Sequence, residues 1–546
     1  MRSSLSSSPW IDSLRAALTF GLIAGLLPAC GGGGDGGNDP LLTLVAPKAP
    51  IMTRGPDPLL ERQWHLFNTG QGGGLPGMDL GLEGVDHTGR GVLIAFIDGA
   101  VQIAHPDLVS NLYTINGFLP TPDPSPPSAS RDAPFNDRAG EWDDAHGTAV
   151  VGIAVASAEN SMGGRGVAPQ ARFIAFDGLS SGQIAQSLRS AISLGADIVN
   201  NSWGTLDPVS GQGASYQPAD PAWRQALEEA LASGRQGKGA VIVFAAGNGG
   251  WQDDSNRDGY ANHPGVLAIG AVDGWGRPPI YAEPGSNILV SAPSGPLLTM
   301  GDTAAGIWTT DIAGPRGLSG GTAPSNADYS SFPAGTSASA PMVSGVVALM
   351  LQANPALSWR DVRWLLAKTA RPANLGVLRT DVSAMNAHGF HPLVGFGRVH
   401  AGDAVAAATA ARALPVEQRC ESGPLSVGVM IPDAPSEGIS TEYRFSDCPI
   451  RVVESVQVTV EVEHTYGADL KIELTSPVGR RSLLGRPHVC AADFQGPCGD
   501  LRMGWAFHSL RHMGEAAVGL WRLQIQDMQS GDSGRLLGWR LTLVGH

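Results

Sequence analysis

The chain has 546 residues, enough for about two to four domains and a large buried core. Charged residues make up only 16%, while 73 glycines and 40 prolines imply many tight loops around buried strands. A formal net charge of −14 argues against a nucleic-acid partner and suits cationic ligands, either metal ions or basic peptides.

The N-terminus reads as a targeting segment. Arg2 and Arg15 flank a polar start, and the apolar run AALTFGLIAGLL (16–27) has the length of a signal-peptide core. It is too short to span a bilayer as a helix. Leu27, Ala29 and Cys30 resemble the lipobox of bacterial lipoproteins. That resemblance implies a signal peptide over 1–29, lipidation at Cys30 and a membrane lipid anchor in the cell envelope. Gly31 after the cysteine, in place of aspartate, implies the outer membrane. Residues 30–50, led by GGGGDGGNDP, read as a flexible tether.

From about residue 85 to 370 buried-strand runs alternate with helical patterns. GVLIAFID (91–98), ADIVNNSWG (196–204), GAVIVFAAGN (239–248) and GVLAIGAV (265–272) are short and continuous, as strands covered on both faces are. Between them, IAQSLRSAISLGA and PAWRQALEEALASG read as helices, and SWRDVRWLLAKTA opens with the capping pair Ser358 and Asp361. The pattern predicts an α/β fold, a largely parallel sheet with helices on both faces, over a domain spanning 51–412. Residues 413–546 change texture. ESVQVTVEVEH, DLKIELTSP, LWRLQIQD and GWRLTLVG alternate polar with apolar, which predicts a separate antiparallel β-sandwich. Past Cys30 the cysteines are Cys420, Cys448, Cys490 and Cys498, an even set that suggests disulfides in an exported chain. They allow three connectivities, of which the local pairing Cys420–Cys448 and Cys490–Cys498 is the one expected.

Four positions carry candidate chemistry. Asp98 ends a strand at the carboxyl edge, where open α/β sheets bind ligands. His146 precedes Gly147 and Thr148 at a small-residue helix start, and Asn248 ends the third strand run. In PAGTSASAPMVSGVVALMLQANP, Pro341 fits the first turn of a helix that begins near Ser337. A serine there is commonly only a cap. The order Asp, His, Asn, Ser says more, because an aspartate can orient a histidine that takes the proton of a serine nucleophile.

The segments IDGAVQIAHPDL, DAHGTAVVG, NNSWG, AAGNGG and GTSASAPMVSGVVALMLQANPALSWRD resemble the subtilisin-like serine proteases of the kexin/furin branch. GFGRVHAGDAV (395–405) resembles that branch's junction, and the sandwich looks like its P domain. The resemblance covers roughly residues 55–546. It implies an Asp98, His146 and Ser337 triad, with Asn248 and the Ser337 N–H as oxyanion donors. Ser202, Trp203 and Gly204 would flank the substrate, and Asp207 and Asp258 would hold its arginine or lysine before the cut. It further implies a calcium ion beneath that pocket, held by Asp207, Glu283 and either Asp253 or Asp254. A second ion would be held by Asp57, Asp107 and Asn160 with carbonyls of Ser157, Met162 and Gly164.

Two departures from the pattern matter. Gly99 stands where furin-like enzymes carry a second aspartate, so selectivity for paired basic residues is expected to be weaker or supplied by another acid. About twenty residues between Cys30 and the catalytic domain are too few for the family's folding pro-region, so the enzyme folds unaided or with a separate chaperone. The competing readings are a broad-specificity surface subtilase and a catalytically inactive surface binding protein.

Overall fold

The computed structural model describes residues 56–115, 142–205, 216–296, 305–314, 317, 328–331, 333–378, 380–488 and 501–546. The targeting segment, the tether, Cys30, Asp207 and the Cys490–Cys498 pair lie outside the described residues.

Residues 55–546 form one compact unit. Six strands make its parallel sheet: β1 (Leu93–Asp98), β2 (Arg172–Asp177), β3 (Ile198–Asn201), β4 (Val241–Ala245), β5 (Val266–Val272) and β6 (Ile288–Pro293). Their order is β2-β1-β3-β4-β5-β6. From β1 the chain therefore goes first to one side and then to the other, which opens a crevice at the carboxyl ends of β1 and β3. β1 is buried on both faces because its side chains alternate between two cores. Ile94 and Phe96 pack with one layer of helices, and Leu93, Ala95 and Ile97 with the other.

The first layer holds α1 (Trp142–Val155), and the second holds α2 (Ile184–Ser193) and α3 (Pro221–Gly237). Next come the short strands β7 (Thr309–Thr310) and β8 (Tyr329–Ser330), which form an antiparallel pair. The central helix α4 (Thr336–Ala353) is long and apolar enough to cross a membrane, but 83% of that stretch is buried inside the fold. α5 (Trp359–Thr369) begins with the expected capping box, since Ser358 and Asp361 each bond the other's backbone. α6 (Ala401–Ala410) closes the layer.

Among the described residues nine strands follow: β9 (Gln418–Glu421), β10 (Leu425–Ile431), β11 (Ile439–Phe445), β12 (Val453–His464), β13 (Leu470–Thr475), β14 (Arg481–Gly485), β15 (Leu501–Ser509), β16 (Gly519–Asp527) and β17 (Gly534–Gly545). They form two antiparallel sheets, β10-β17-β12-β15 with β9 beside β17, and β11-β16-β13-β14. Val456, Val458, Val460 and Val462 of one sheet and Ile472, Leu474, Leu523 and Ile525 of the other fill the space between them. Cys420 and Cys448 are joined as a disulfide.

Candidate active site and specificity pocket

Asp98 is the last residue of β1 and is 1% exposed. Its Oδ1 accepts the Gly99 N–H at 2.8 Å and lies 2.7 Å from His146 Nδ1. His146 is the fifth residue of α1, partly open to solvent. Gly147 makes that approach possible: a Cβ there would meet the carbonyl oxygens of Ala100 and Gly99 at 2.6 and 2.8 Å. Only glycine lets the helix start sit this close to the loop after β1. With Nδ1 bound to Asp98, the imidazole is held with Nε2 on its outer edge.

Ser337 is not the cap of α4. That position is Gly335, whose φ of 75° suits glycine. Ser337 sits one residue inside the helix, where backbone N–H groups have no intrahelical acceptor. Its Oγ donates to the Ser202 carbonyl at 2.9 Å, and the Ser202 Oγ donates to the Ser337 carbonyl at 2.9 Å. The nucleophile candidate is thus stapled to the segment that leaves β3. Asn248, past the end of β4, accepts the Thr336 N–H at 2.8 Å and the Thr336 hydroxyl at 3.1 Å through Oδ1. These two donors fix the amide orientation, so Nδ2 is the donating edge. Asp98 of β1 is thus paired with His146 of α1, and Asn248 of the β4 loop with Thr336, the residue before Ser337 in α4.

The expected pocket residues also converge. Trp203 Nε1 donates to the Ile97 carbonyl at 2.8 Å, tying its ring to β1. Gly204 opens directly onto Asp258, whose Oδ2 would lie 2.7 Å from a Cβ at that position. Asp258 is only partly covered. Its Oδ2 accepts the Thr205 N–H at 2.8 Å, and Oδ1 accepts Tyr260 N–H at 2.6 Å and Ala261 N–H at 3.2 Å. Burial pushes its carboxyl up, and those backbone donors oppose the shift.

The two expected groups of oxygen ligands differ. In the first, Asp57 and Asp107 are 4% and 0% exposed. Asp57 accepts the backbone N–H groups of Glu159, Asn160 and Ser161. The Asn160 Nδ2 donates to Asp107 Oδ1 at 2.6 Å, and Tyr329 donates to Oδ2 at 3.3 Å. Ser157 joins through its N–H to the Asp107 carbonyl, Met162 through its N–H to Asn160 Oδ1, and Gly164 packs on Gln63. Burial pushes the Asp107 carboxyl up to about 7 despite those donors, and Asp57 adds to it. Two buried carboxylates that meet at the 157–164 segment fit a hard divalent cation.

Of the second group, Asp253, Asp254 and Glu283 are among the described residues and Asp207 is not. Asp253 Oδ1 accepts the Asp254 N–H at 2.7 Å and lies 3.7 Å from Arg257 Nη1. Glu283 Oε1 accepts the Gly249 N–H at 2.8 Å. Burial pushes the Asp254 carboxyl up to about 6, while Arg257 and Arg486 draw it down. Among the described residues here, a guanidinium stands beside the carboxylates.

Two features escape a reading of the sequence alone. Asp177 ends β2 in register with Asp98 on β1, a second acid at the same edge. RFIAFD repeats the strand-then-aspartate pattern of LIAFID, and that is its signal. The sandwich also docks directly on the pocket loop. Trp505 Nε1 donates to the Asn256 carbonyl at 2.8 Å, and Asn256 Oδ1 accepts the His508 N–H at 2.9 Å. No local pattern announces contacts so distant in sequence.

Residues 89–397 match the subtilase family, and residues 453–543 match the proprotein convertase P-domain. The chain is 31% identical over 512 residues to neuroendocrine convertase 2 of Rattus norvegicus, spanning 90% of this chain and 74% of that one. It is 31% identical over 525 residues to furin-like protease 2 of Drosophila melanogaster, covering 90% of this chain and 28% of that one. Among solved structures, a serine protease of Aeromonas sobria superposes with a TM-score of 0.74 at 26% identity, covering 90% of this chain and 96% of that one. A complex of the Aeromonas sobria serine protease with a chaperone matches with the same score and identity, covering 95% of its chain.

Proposed function

The chain belongs to the subtilase family and is a serine endopeptidase of the proprotein convertase type; on that premise we propose that it cleaves after arginine or lysine through Asp98, His146 and Ser337. The observation that carries the reading is the 2.7 Å contact between His146 Nδ1 and the buried Asp98 carboxylate, at the carboxyl edge where Ser337 opens α4. Ser337 Oγ attacks the scissile carbonyl carbon as its proton passes to His146 Nε2. Asp98 holds the tautomer and stabilises the imidazolium. The Ser337 N–H and the Asn248 amide receive the developing oxyanion, a contribution of about 3–4 kcal/mol per donor in such sites. The tetrahedral adduct collapses as Nε2 returns the proton to the leaving amine. Water, activated by the same nitrogen, then frees the acid from the acyl-enzyme.

Ser202, Trp203 and Gly204 line the substrate path, and Asp258, with Asp207 from outside the described residues, receives the basic side chain. Asp177 is the acid that faces the preceding substrate residue in place of the missing carboxylate at Gly99, a role supported by its register with Asp98. Asp57, Asp107 and Asn160 would hold a calcium ion, which would supply charge neutralisation to two buried carboxylates beside the 157–164 segment. A separate chaperone is a further proposed partner, supported by the complex known for the Aeromonas sobria protease. Lipidation at Cys30 would anchor the enzyme at the outer membrane.

The test uses four peptides, with Lys-Arg, Ala-Arg, Ala-Lys or Ala-Met before the bond, on the parent and on Ser337→Ala. The parent is expected to cut the basic peptides well above Ala-Met, and Ser337→Ala to lose nearly all turnover and all labelling by a serine-directed phosphonate. Equal labelling of both proteins defeats the triad. Equal cutting of Ala-Met and Ala-Arg defeats the acidic pocket and leaves a broad-specificity subtilase.

A further inference from the structure

Arg257 immediately precedes the pocket residue Asp258, and its side chain is only 3% exposed. A guanidinium is not buried without partners, because removing a charge from water is costly. Here the partners come from two domains. On the catalytic side, Nη1 lies 3.7 Å from Asp253 Oδ1 and 3.5 Å from the Gln252 carbonyl. On the sandwich side, Nη2 donates to the Arg486 carbonyl at 2.7 Å, just beyond β14. Tyr216 places its ring 6.0 Å from the guanidinium and packs edge-on or tilted against Trp505 and Phe507 of β15. Arg486 in turn lies 4.4 Å over the Trp251 ring, and its charge reaches Asp254.

Around this arginine the pocket loop is held rigidly. The Arg257 carbonyl accepts the Gln217 N–H at 2.9 Å, and Gly259 N–H donates to the Gln217 carbonyl at 2.8 Å. Asn256 is clamped by Trp505 and His508 as described, and its Nδ2 reaches Ser286, whose hydroxyl donates to the His508 carbonyl at 2.8 Å. The residue that carries the substrate-facing carboxylate is therefore flanked by a cation with one end in each domain.

We propose that Arg257 is a positioning residue of the specificity pocket: its guanidinium, seated between the Asp253 carboxylate and the Arg486 carbonyl, supplies the positive charge beneath the pocket and ties Asp258 to the docked C-terminal sandwich. A divalent ion at Asp253 would meet a fixed like charge within a few ångströms, so the pocket is set by sandwich docking rather than by ion binding. This inference rests on the reading of Asp258 as the substrate-facing acid. Arg257 touches no reacting atom and acts through Asp258.

The experiment combines a metal count with a kinetic split. Bound calcium per chain, measured by elemental analysis of the purified protein, is expected to be the same in the parent and in Asp253→Asn. Arg257→Gln is expected to raise KM for the Ala-Arg peptide about tenfold, with a smaller loss in kcat, as removal of ground-state and transition-state binding alike does. Arg257→Lys should recover most of that loss. Loss of one calcium per chain in Asp253→Asn overturns the proposal, whatever the peptide preference turns out to be. So does an Arg257→Gln protein whose Ala-Arg and Ala-Met cleavage fall by the same factor, or an Arg257→Lys protein no better than the glutamine variant. Should the glutamine variant not fold, the metal count and the lysine variant still decide.

Discussion

Asp258→Asn replaces one oxygen of the pocket carboxylate by a nitrogen and removes one charge. A carboxylate has roughly four acceptor directions, and at Asp258 three backbone N–H groups, at 2.6, 2.8 and 3.2 Å, together with the Thr205 side chain already use them. A substrate cation must share an oxygen with one of these donors, so a single charge-assisted contact is expected from this residue and not a bidentate clamp. Such a contact is worth about 1.5–3 kcal/mol, or roughly 10- to 150-fold in kcat/KM. The asparagine also brings an N–H₂ against one backbone donor, Thr205 if its oxygen stays with Tyr260 and Ala261. That conflict costs about 1–3 kcal/mol whatever the substrate, because a buried donor loses its acceptor. The two effects separate in the ratio of Ala-Arg to Ala-Met cleavage, which cancels the second. The ratio should fall roughly 10- to 150-fold by the same reasoning, with both absolute rates reduced further. In the parent, the raised Asp258 carboxyl adds a pH signature. Protonation removes the pocket charge as pH falls through that raised value, so arginine preference should fade at a higher pH than an ordinary aspartate would allow. A folded Asp258→Asn enzyme with the parent's Arg-to-Met ratio would refute the assignment.

Chelator should lower the parent's melting temperature and calcium restore it, by about 2.7 kcal/mol at a hundredfold excess over Kd. Asp107→Asn should abolish that response, and an unchanged parent curve in excess chelator removes the case for the first site. Glu454 is 1% exposed and pairs with Arg360 at 2.5 and 3.0 Å, Arg363 at 3.4 Å and His546 at 2.9 Å. Glu454→Gln leaves the buried Arg363 without its carboxylate and takes one from the half-buried Arg360, and should cost about 3–5 kcal/mol, read from urea midpoints. Burial alone would raise the Glu454 carboxyl, but Arg360, Arg363 and His546 hold it below the ordinary glutamate value. A lowered folded value contributes stability above the unfolded value of about 4.3 and loses it as pH falls further. The gap between parent and variant should therefore be full at neutral pH and close on acidification; a gap that stays constant across that range tells against the ion-pair account.

The strands that carry the site were legible because each is a continuous apolar run, the pattern of a strand covered on both faces. β1, β3 and β4 fall within the expected segments, and Asp98 sits at the end its run implied. RFIAFD and ILVSAP, which form β2 and β6, are as long as β1, but the first opens on Arg172 and the second carries Ser291 and Pro293, so neither reads as a continuous apolar run. Proximity within the site was legible only through the order of motifs, since 48 residues separate His146 from Asp98 and no periodicity spans that distance.

The docking of the two domains shows where local reading stops. In the sandwich, β13 alternates buried and half-buried residues as a two-sided strand does. β12 follows the same alternation from Val456 onward, but its first residues, Val453, Glu454 and Ser455, are all buried. The polar side of β12 faces solvent only after the strand has cleared α5, whose Arg360 and Arg363 hold Glu454. In the sequence Glu454 looks like any solvated polar position of an alternating strand. The same holds for Arg257, whose charge resembles a surface residue beside a turn until Arg486, 229 positions away, is brought against it. Charges of this kind become buried only after both domains have folded, so what fixes them is a surface that neither domain's own pattern encodes. For this enzyme that surface lies against the loop that carries Asp258, so if Asp258 selects the substrate, destabilising the surface is expected to alter selection while leaving Asp98, His146 and Ser337 in place.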